Sequence, residues 1–147
     1  MVSFRGTFDH TLDAKNRLTV PSRYRAALAD GVVLAEPVDQ RPCVGVWRPE
    51  DYASYTRDAL AELPALSTQR SELERFFFGG SHDTELDAAG RIMIPQSLRD
   101  SGKLEKEVIV VGVGPRLELW DKKTWAEHRP TLLSGVKEVT ARVDAAA

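Results

Sequence analysis

The residues best suited to chemistry are an aspartate and an arginine four positions apart, and this pair occurs twice. Asp13 precedes Arg17, and Asp87 precedes Arg91. A short carboxylate can accept backbone N–H bonds in a turn and can hold a guanidinium group. Arginine offers parallel donors that match a phosphate or the edge of a guanine, whereas a carboxylate repels phosphate. The motif therefore predicts recognition through arginine, with aspartate as its positioner.

The same motif is poorly equipped for catalysis or for metal binding. No histidine, cysteine or serine stands in the repeated motif as a base or nucleophile. Cys43 is the only cysteine, and the three histidines are scattered without metal-ligand spacing. An enzyme that uses Asp13 or Asp87 with an arginine in a cleft remains an alternative. We expect no catalytic activity, no metal and no cofactor.

The two motifs belong to a longer internal repeat. Shifting the sequence by 74 positions aligns residues 4–25 with residues 78–99, and nine of the 22 aligned residues are identical. Farther on, residues 44–47 and 117–120 each end in tryptophan. Such self-similarity indicates a duplicated structural unit. Because units of about 70 residues bury too little surface alone, the two copies are expected to share one core.

Each copy predicts a tight turn that leads into a strand. Asn16 and Gly90 directly precede the two arginines, and these residue types best tolerate a positive φ. The segments that follow, 17–20 and 91–94, are rich in β-formers and end at a proline suited to the first turn of a helix. A short helix is therefore expected after each strand. These helices are expected to end at two glycines, Gly31 and Gly102.

Further helices are expected between and after the copies. Residues 49–63 place apolar side chains on one helical face, and Ser67 can cap a second helix beyond Pro64. Near the C-terminus, Pro130 is expected to interrupt the helical pattern. An apolar stripe at residues 132–143 follows, and it packs either on its own chain or on a neighbour.

The duplicated Asp-x-x-x-Arg motif, with a proline four residues after each arginine, resembles that of the MraZ family. These proteins are transcriptional regulators related to the AbrB-like swapped-hairpin DNA-binding domains. The resemblance extends over nearly the whole chain, including both tryptophan-containing strands. It implies an α+β, mainly β fold. Two tandem AbrB/MraZ-like β units would pair into an intrachain pseudo-dimeric β-barrel with flanking short helices.

The resemblance also implies a function. The expected partner is double-stranded DNA at short direct repeats in a promoter, and the expected role is repression of the regulator's own cell-division and cell-wall operon. Chains are expected to form a homo-oligomeric ring. With no apolar run long enough for a membrane span and no signal-peptide layout, we expect a cytoplasmic protein at the nucleoid. The alternative is an assembly or antitoxin-like adaptor module that does not bind DNA.

Charge distribution assigns different roles to the two copies. The net charge of -2 does not by itself favour nucleic-acid binding. However, residues 4–25 contain five basic and two acidic residues, whereas residues 78–99 contain two basic and three acidic residues. The repeat and the expected helices divide the chain into four segments, and the charges give the two repeats their roles. We predict a DNA-binding repeat (1–63), a helical connector (64–77), a mainly structural repeat (78–129) and a C-terminal helical tail (130–147).

Individual roles follow from side-chain chemistry. The residues predicted to bind DNA are Arg5, Lys15, Arg17, Arg23 and Arg25. Of these, Arg17 is expected to reach a base edge and Lys15 to hold a phosphate. The residues predicted to position the first turn are Asp13 and Asn16, and the second, structural motif contains Asp87, Gly90 and Arg91. The alternatives are a surface ion pair worth at most about 1 kcal/mol and basic side chains that are merely solvated.

Overall fold

Short strands rich in β-formers alternate with turns and helices through residues 2–146, which the computed structural model describes. The strands are β1 (Thr7–Thr11), β2 (Arg17–Thr19), β3 (Val32–Ala35), β4 (Cys43–Trp47), β5 (Ser81–Thr84), β6 (Arg91–Met93), β7 (Glu107–Gly112) and β8 (Leu117–Asp121). The helices are α1 (Pro49–Ala61), α2 (Thr68–Gly79), α3 (Gln96–Ser101) and α4 (Lys122–Ala146). The α+β, mainly β prediction agrees with this arrangement.

The strands form one open antiparallel sheet and one separate ribbon. The six-stranded sheet has the order β1-β7-β8-β4-β3-β5, while β2 and β6 form a separate two-stranded ribbon. The predicted closed barrel is therefore wrong. Closure requires the two edge strands to pair, and here β1 and β5 remain edges because the two short ribbon strands leave the sheet.

Each edge strand pairs with a strand that is distant in sequence. β1 lies antiparallel to β7, with Phe8 opposite Val110, and β5 lies antiparallel to β3, with His82 opposite Leu34. An isolated bridge between Leu12 and Leu18 and a hydrogen bond from the N–H of Asp13 to the carbonyl of Arg17 connect the end of β1 to β2. The local turn is present as predicted, but its two flanking strands belong to different layers.

The core lies between the ribbon and the sheet. Leu18 of β2 and Ile92 of β6 are opposite each other and each is 1% exposed. They belong to the same cluster as Leu34, Val110 and Leu119 of the sheet. Burying a side chain of this size stabilises the fold by roughly 1.5–3 kcal/mol. One face of the ribbon is therefore held by the core, and the opposite face remains at the surface.

Most predicted helices are present, with one correction. The side chain of Ser67 caps α2 by accepting the backbone N–H of Arg70 at 3.1 Å, as expected. α3 is capped at its C-terminus by Gly102, the predicted terminator, but the first copy has only a 3₁₀ turn (Ser22–Tyr24) where a helix was predicted. Tyr24 is drawn into the core, where its ring centroid lies 4.9 Å from that of Phe4, and this packing holds the turn.

The C-terminal helix departs from its prediction. α4 continues through Pro130, so the predicted interruption is wrong; a proline removes one helical hydrogen bond without necessarily ending the helix. Its first turns pack against the sheet, with the Trp125 ring centroid 5.3 Å from that of Trp120. Farther along, Val136 and Val139 are 54% and 58% exposed. No described helix is long and apolar enough to cross a membrane.

Candidate nucleic-acid interface

The turn at residues 13–17, called the first tip, is closed by its aspartate. Oδ1 of Asp13 accepts the backbone N–H groups of Lys15 and Arg17, both at 2.9 Å. Oδ2 of the same carboxylate accepts Nε of Arg17 at 2.8 Å. Asn16 has a φ of 59°, in the left-handed region that its position in the sequence predicts. A single carboxylate therefore shapes the turn and fixes the arginine.

These bonds determine the charge and the free donors of the first tip. The backbone hydrogen bond from Arg17 is the main cause that lowers the pKa of Asp13, so the carboxylate is ionised at neutral pH. The Arg17 side chain is 26% exposed. Its terminal nitrogens, Nη1 and Nη2, have no hydrogen-bond partner among residues 2–146. They remain available to an external acceptor.

The turn at residues 87–91, the second tip, repeats this geometry. Oδ1 of Asp87 accepts the backbone N–H groups of Ala89 and Arg91 at 2.9 Å, and Oδ2 accepts Nε of Arg91 at 2.8 Å. The backbone hydrogen bond from Arg91 also lowers the pKa of Asp87. Gly90 has a φ of 76°. Hydrogen bonding does not distinguish the tips; the clear chemical difference is Ala89 in place of a lysine.

The ribbon brings both arginines to one surface. Arg17 lies opposite Met93, and Thr19 lies opposite Arg91. Alternate residues of a strand point to opposite faces, and the residues between them are the buried ones. We call the surface formed by Arg17, Thr19, Arg91 and Met93 the ribbon face. Two-stranded ribbons of this kind fit the major groove of DNA.

Arg25 lies at the second tip although it follows the first motif in sequence. Val20 donates its backbone N–H to the carbonyl of Gly90 at 2.9 Å, and its own carbonyl accepts Nε of Arg25 at 3.0 Å. A Cβ built on Gly90 would lie 2.5 Å from that Nε. The glycine therefore permits both the positive φ and the close approach of the guanidinium group.

Arg99, a residue for which the sequence predicted no role, makes the corresponding bond in the other half of the chain. Its Nε donates to the carbonyl of Ile94 at 3.0 Å, and Ile94 donates its N–H to the carbonyl of Asn16 at 3.0 Å. The alignment of Arg25 with Arg99 in the repeat was the available signal. Arg25 thus holds Val20, which bonds to the second tip, and Arg99 holds Ile94, which bonds to the first tip.

The remaining predicted DNA-binding residues lie apart from the first tip. Arg5 precedes β1, a strand that spans about 17 Å before the tip begins. Its backbone N–H donates to the Tyr24 hydroxyl at 2.8 Å, and its own side chain is exposed. Arg23 is also exposed, with Cζ 5.8 Å from the Tyr24 ring centroid. The structure therefore brings only Lys15 and Arg17 together at the first tip.

Comparison with known proteins identifies the family. The family model described as "MraZ protein, putative antitoxin-like" matches residues 3–75 and again residues 77–141. The chain belongs to the MraZ family. MraZ proteins are transcriptional regulators and not enzymes, so the resemblance stated from the sequence is confirmed, and family membership confirms that the chain is not an enzyme.

Three MraZ relatives illustrate the extent of the similarity, and each is named "Transcriptional regulator MraZ". The protein of Alkalilimnicola ehrlichii is 39% identical, with 92% of this chain and 91% of the relative aligned. That of Alkaliphilus metalliredigens is 37% identical, with 96% of each aligned. That of Desulforamulus reducens is 38% identical, with 85% of this chain and 86% of the relative aligned.

Proposed function

We propose that this protein is a sequence-specific DNA-binding transcriptional regulator that docks its ribbon face in the major groove. The observation that supports this most strongly is Arg17, which is held by Asp13 and presents its free Nη1 and Nη2 at an exposed turn. As the family resemblance implies, we propose repression at short direct repeats in the promoter of its own cell-division and cell-wall operon. The protein would act in the cytoplasm, at the nucleoid.

The proposed base contact uses the end of the guanidinium group. Nη1 and Nη2 can donate side by side to O6 and N7 of a guanine, a contact worth about 1–3 kcal/mol of discrimination. Asp13 lowers the entropic cost of binding because it orders the Arg17 side chain in advance. Lys15 lies exposed at the same tip, where its ammonium group can neutralise a phosphate.

We propose a smaller contribution from the second tip. Arg91 is on the ribbon face and has the same hydrogen bonds as Arg17, so its position alone does not exclude DNA contact. The tip has Ala89 where the first has Lys15, and Asp83 and Glu85 precede it. Carboxylates have the same negative charge as the DNA phosphates and therefore weaken DNA binding at this tip. The positive charge of Arg25, which lies beside Gly90, offsets only part of the negative charge of these carboxylates.

We also propose that the chain is an intrachain pseudo-dimer of the units 1–63 and 78–129. Three observations support it. Exchanging β1–β4 with β5–β8 leaves the strand order of the sheet and of the ribbon unchanged. Both tips have the same hydrogen bonds, and the family model matches two consecutive segments. Strand exchange between the units would give the shared core that neither could form alone.

We propose that the chains form a homo-oligomeric ring, in which several ribbon faces contact DNA together. One ribbon face makes few contacts, and linked binding sites gain affinity through effective concentration. The exposed apolar stripe on α4, which includes Val136 and Val139, offers a surface for a second copy. Light scattering should show an assembly well above the 16.3 kDa of one chain. Replacing both valines with lysine should dissociate it, whereas Glu138→Lys, on another face of the helix, should not.

A footprint on the promoter immediately upstream of the protein's own reading frame tests the DNA-binding proposal. We expect protection of short repeated boxes and an affinity that falls steeply with salt, because phosphate contacts release counterions. Protection that is absent even at low salt would contradict the proposal. That result would favour the adaptor module, which binds a protein partner and no DNA.

A further inference from the structure

Met93 is an exposed apolar residue on an otherwise polar ribbon face. Its neighbours in sequence, Ile92 and Ile94, are 1% and 0% exposed, whereas Met93 is 59% exposed. The alternation of β6 therefore directs this side chain to the surface as part of the regular strand pattern. Its direct cross-strand partner is Arg17. A large apolar side chain thus adjoins the arginine proposed to read a base.

Major-groove chemistry gives such a side chain a specific ligand. Among the groups that base pairs present in the major groove, the C5-methyl of thymine is the apolar one. We propose that Met93 contacts a thymine methyl beside the base pair that Arg17 reads, and is therefore a specificity-determining residue. This inference depends on the DNA-binding function proposed above. It assigns part of the sequence preference to a residue outside both Asp-x-x-x-Arg motifs.

The register limits where that thymine can lie. Residues directly opposite in an antiparallel pair have Cβ atoms about 4.5–5.5 Å apart. Successive base pairs are separated by about 3.4 Å along the helix. The flexible thioether of Met93 adds reach in either direction. The thymine is therefore expected within about two base pairs of the guanine bound by Arg17.

The position equivalent to Met93 in the first copy is Thr19, and the difference has a consequence. The two tips repeat their hydrogen bonds, so a ribbon with matching side chains would present nearly the same surface to DNA in either orientation. Two-fold proteins accordingly favour palindromic sites. Met93, with its longer apolar side chain, distinguishes the two orientations. Because of this asymmetry, we expect one ribbon face to bind a non-palindromic DNA sequence in a single orientation.

The test removes one methyl group from the DNA and one side chain from the protein. Wild type and Met93→Ala are titrated on the footprinted duplex and on versions in which single thymines are replaced by deoxyuridine. For wild type we expect about a fourfold loss at one thymine near the contacted guanine, the effect of one buried methyl group. Met93→Ala should bind the two versions of that duplex equally well.

Leu66→Ala is the matched control, because Leu66 is an exposed apolar residue in the loop between α1 and α2. It should retain the wild-type response to deoxyuridine. Specific binding by wild type without a loss at any thymine, or a loss that persists in Met93→Ala, would overturn the inference and leave the proposed function intact. Equal binding of the footprinted and scrambled duplexes by wild type would instead overturn the proposed function and, with it, this inference.

Discussion

Asp13 holds Arg17 at two points: its Oδ2 lies 2.8 Å from Nε, and its Oδ1 lies 2.9 Å from the backbone nitrogen of the same residue. Nε of the guanidinium group is thereby occupied, and Nη1 and Nη2 are left free. Charge-assisted bonds of this geometry are stronger than neutral ones. DNA recognition as proposed depends on this preorganised arginine.

Asp13→Asn should weaken specific binding more than general binding. The amide can still accept the backbone bonds, but it loses the charge that holds Nε of Arg17, so the guanidinium becomes disordered. We expect about a tenfold loss on the cognate duplex and no loss on a scrambled duplex, measured by fluorescence anisotropy. Asp9→Asn, which removes an exposed carboxylate from β1, is the charge control. A similar loss on both duplexes would show that Asp13 does not position a base reader.

The same carboxylates predict an acid-sensitive contribution to stability. Backbone hydrogen bonds lower the pKa of Asp13 and of Asp87 below the usual value of 3.8. Because the ionised form favours the folded state, the contribution is fully present above pH 3.8 and is lost as the pH falls through the lower folded pKa. Urea unfolding should show a stability difference between wild type and Asp13→Asn that is constant from about pH 5 to 7 and decreases below pH 3.8. A difference that varies near neutral pH would contradict this assignment.

Gly90 and Gly114 provide a matched pair of substitutions. Both have positive φ, 76° and 91°, but a Cβ at Gly90 would collide with Arg25, whereas a Cβ at Gly114 would have no described atom within 4 Å outside its own and the two adjacent residues. Each alanine variant should lose about 1–2 kcal/mol from backbone strain. Gly90→Ala should lose about 1 kcal/mol more because the bond from Arg25 to Val20 is disturbed. Equal free energies of unfolding for the two variants would show that Arg25 is not fixed at the second tip.

Local features of the tips could be predicted from the sequence because they depend on residues four positions apart or fewer. The Asp13 and Asp87 turns and the positive φ of Asn16 and Gly90 are of this kind. The cap at Ser67 is another, since one side chain and one nearby N–H determine it. For these features, both interacting groups lie within a few residues of each other, so residue type and spacing are sufficient to predict the contact.

Long-range pairing could not be predicted in the same way. β1 pairs with β7, about a hundred residues away, and alternation within a strand does not identify its partner. The barrel, which the family resemblance implied, was wrong because β2 and β6 pair outside the sheet and leave β1 and β5 as its edges. The position of Arg25 at the second tip was missed for the same reason, because it follows from the pairing of β2 with β6.

Arg91→Ala tests the proposed difference between the tips. Removing Arg91 leaves Asp87 without its partner, but a surface ion pair of this kind contributes little to stability. We expect a small loss of stability or of assembly and retained specific binding. Arg17→Ala should abolish specific binding while the protein remains folded by circular dichroism. An equal loss of binding in both folded variants would show that the tips contribute equally.

Titration of Arg17→Ala and Lys15→Ala on cognate and scrambled duplexes, each at several salt concentrations, tests base reading at the first tip most directly. Arg17→Ala is predicted to lose about 1–3 kcal/mol per contact on the cognate duplex and less on the scrambled one. Lys15→Ala is predicted to weaken both duplexes by a similar factor and to reduce the salt slope by about one unit for each participating chain. An equal loss on both duplexes for Arg17→Ala would make Arg17 a phosphate contact and would contradict base reading by this residue.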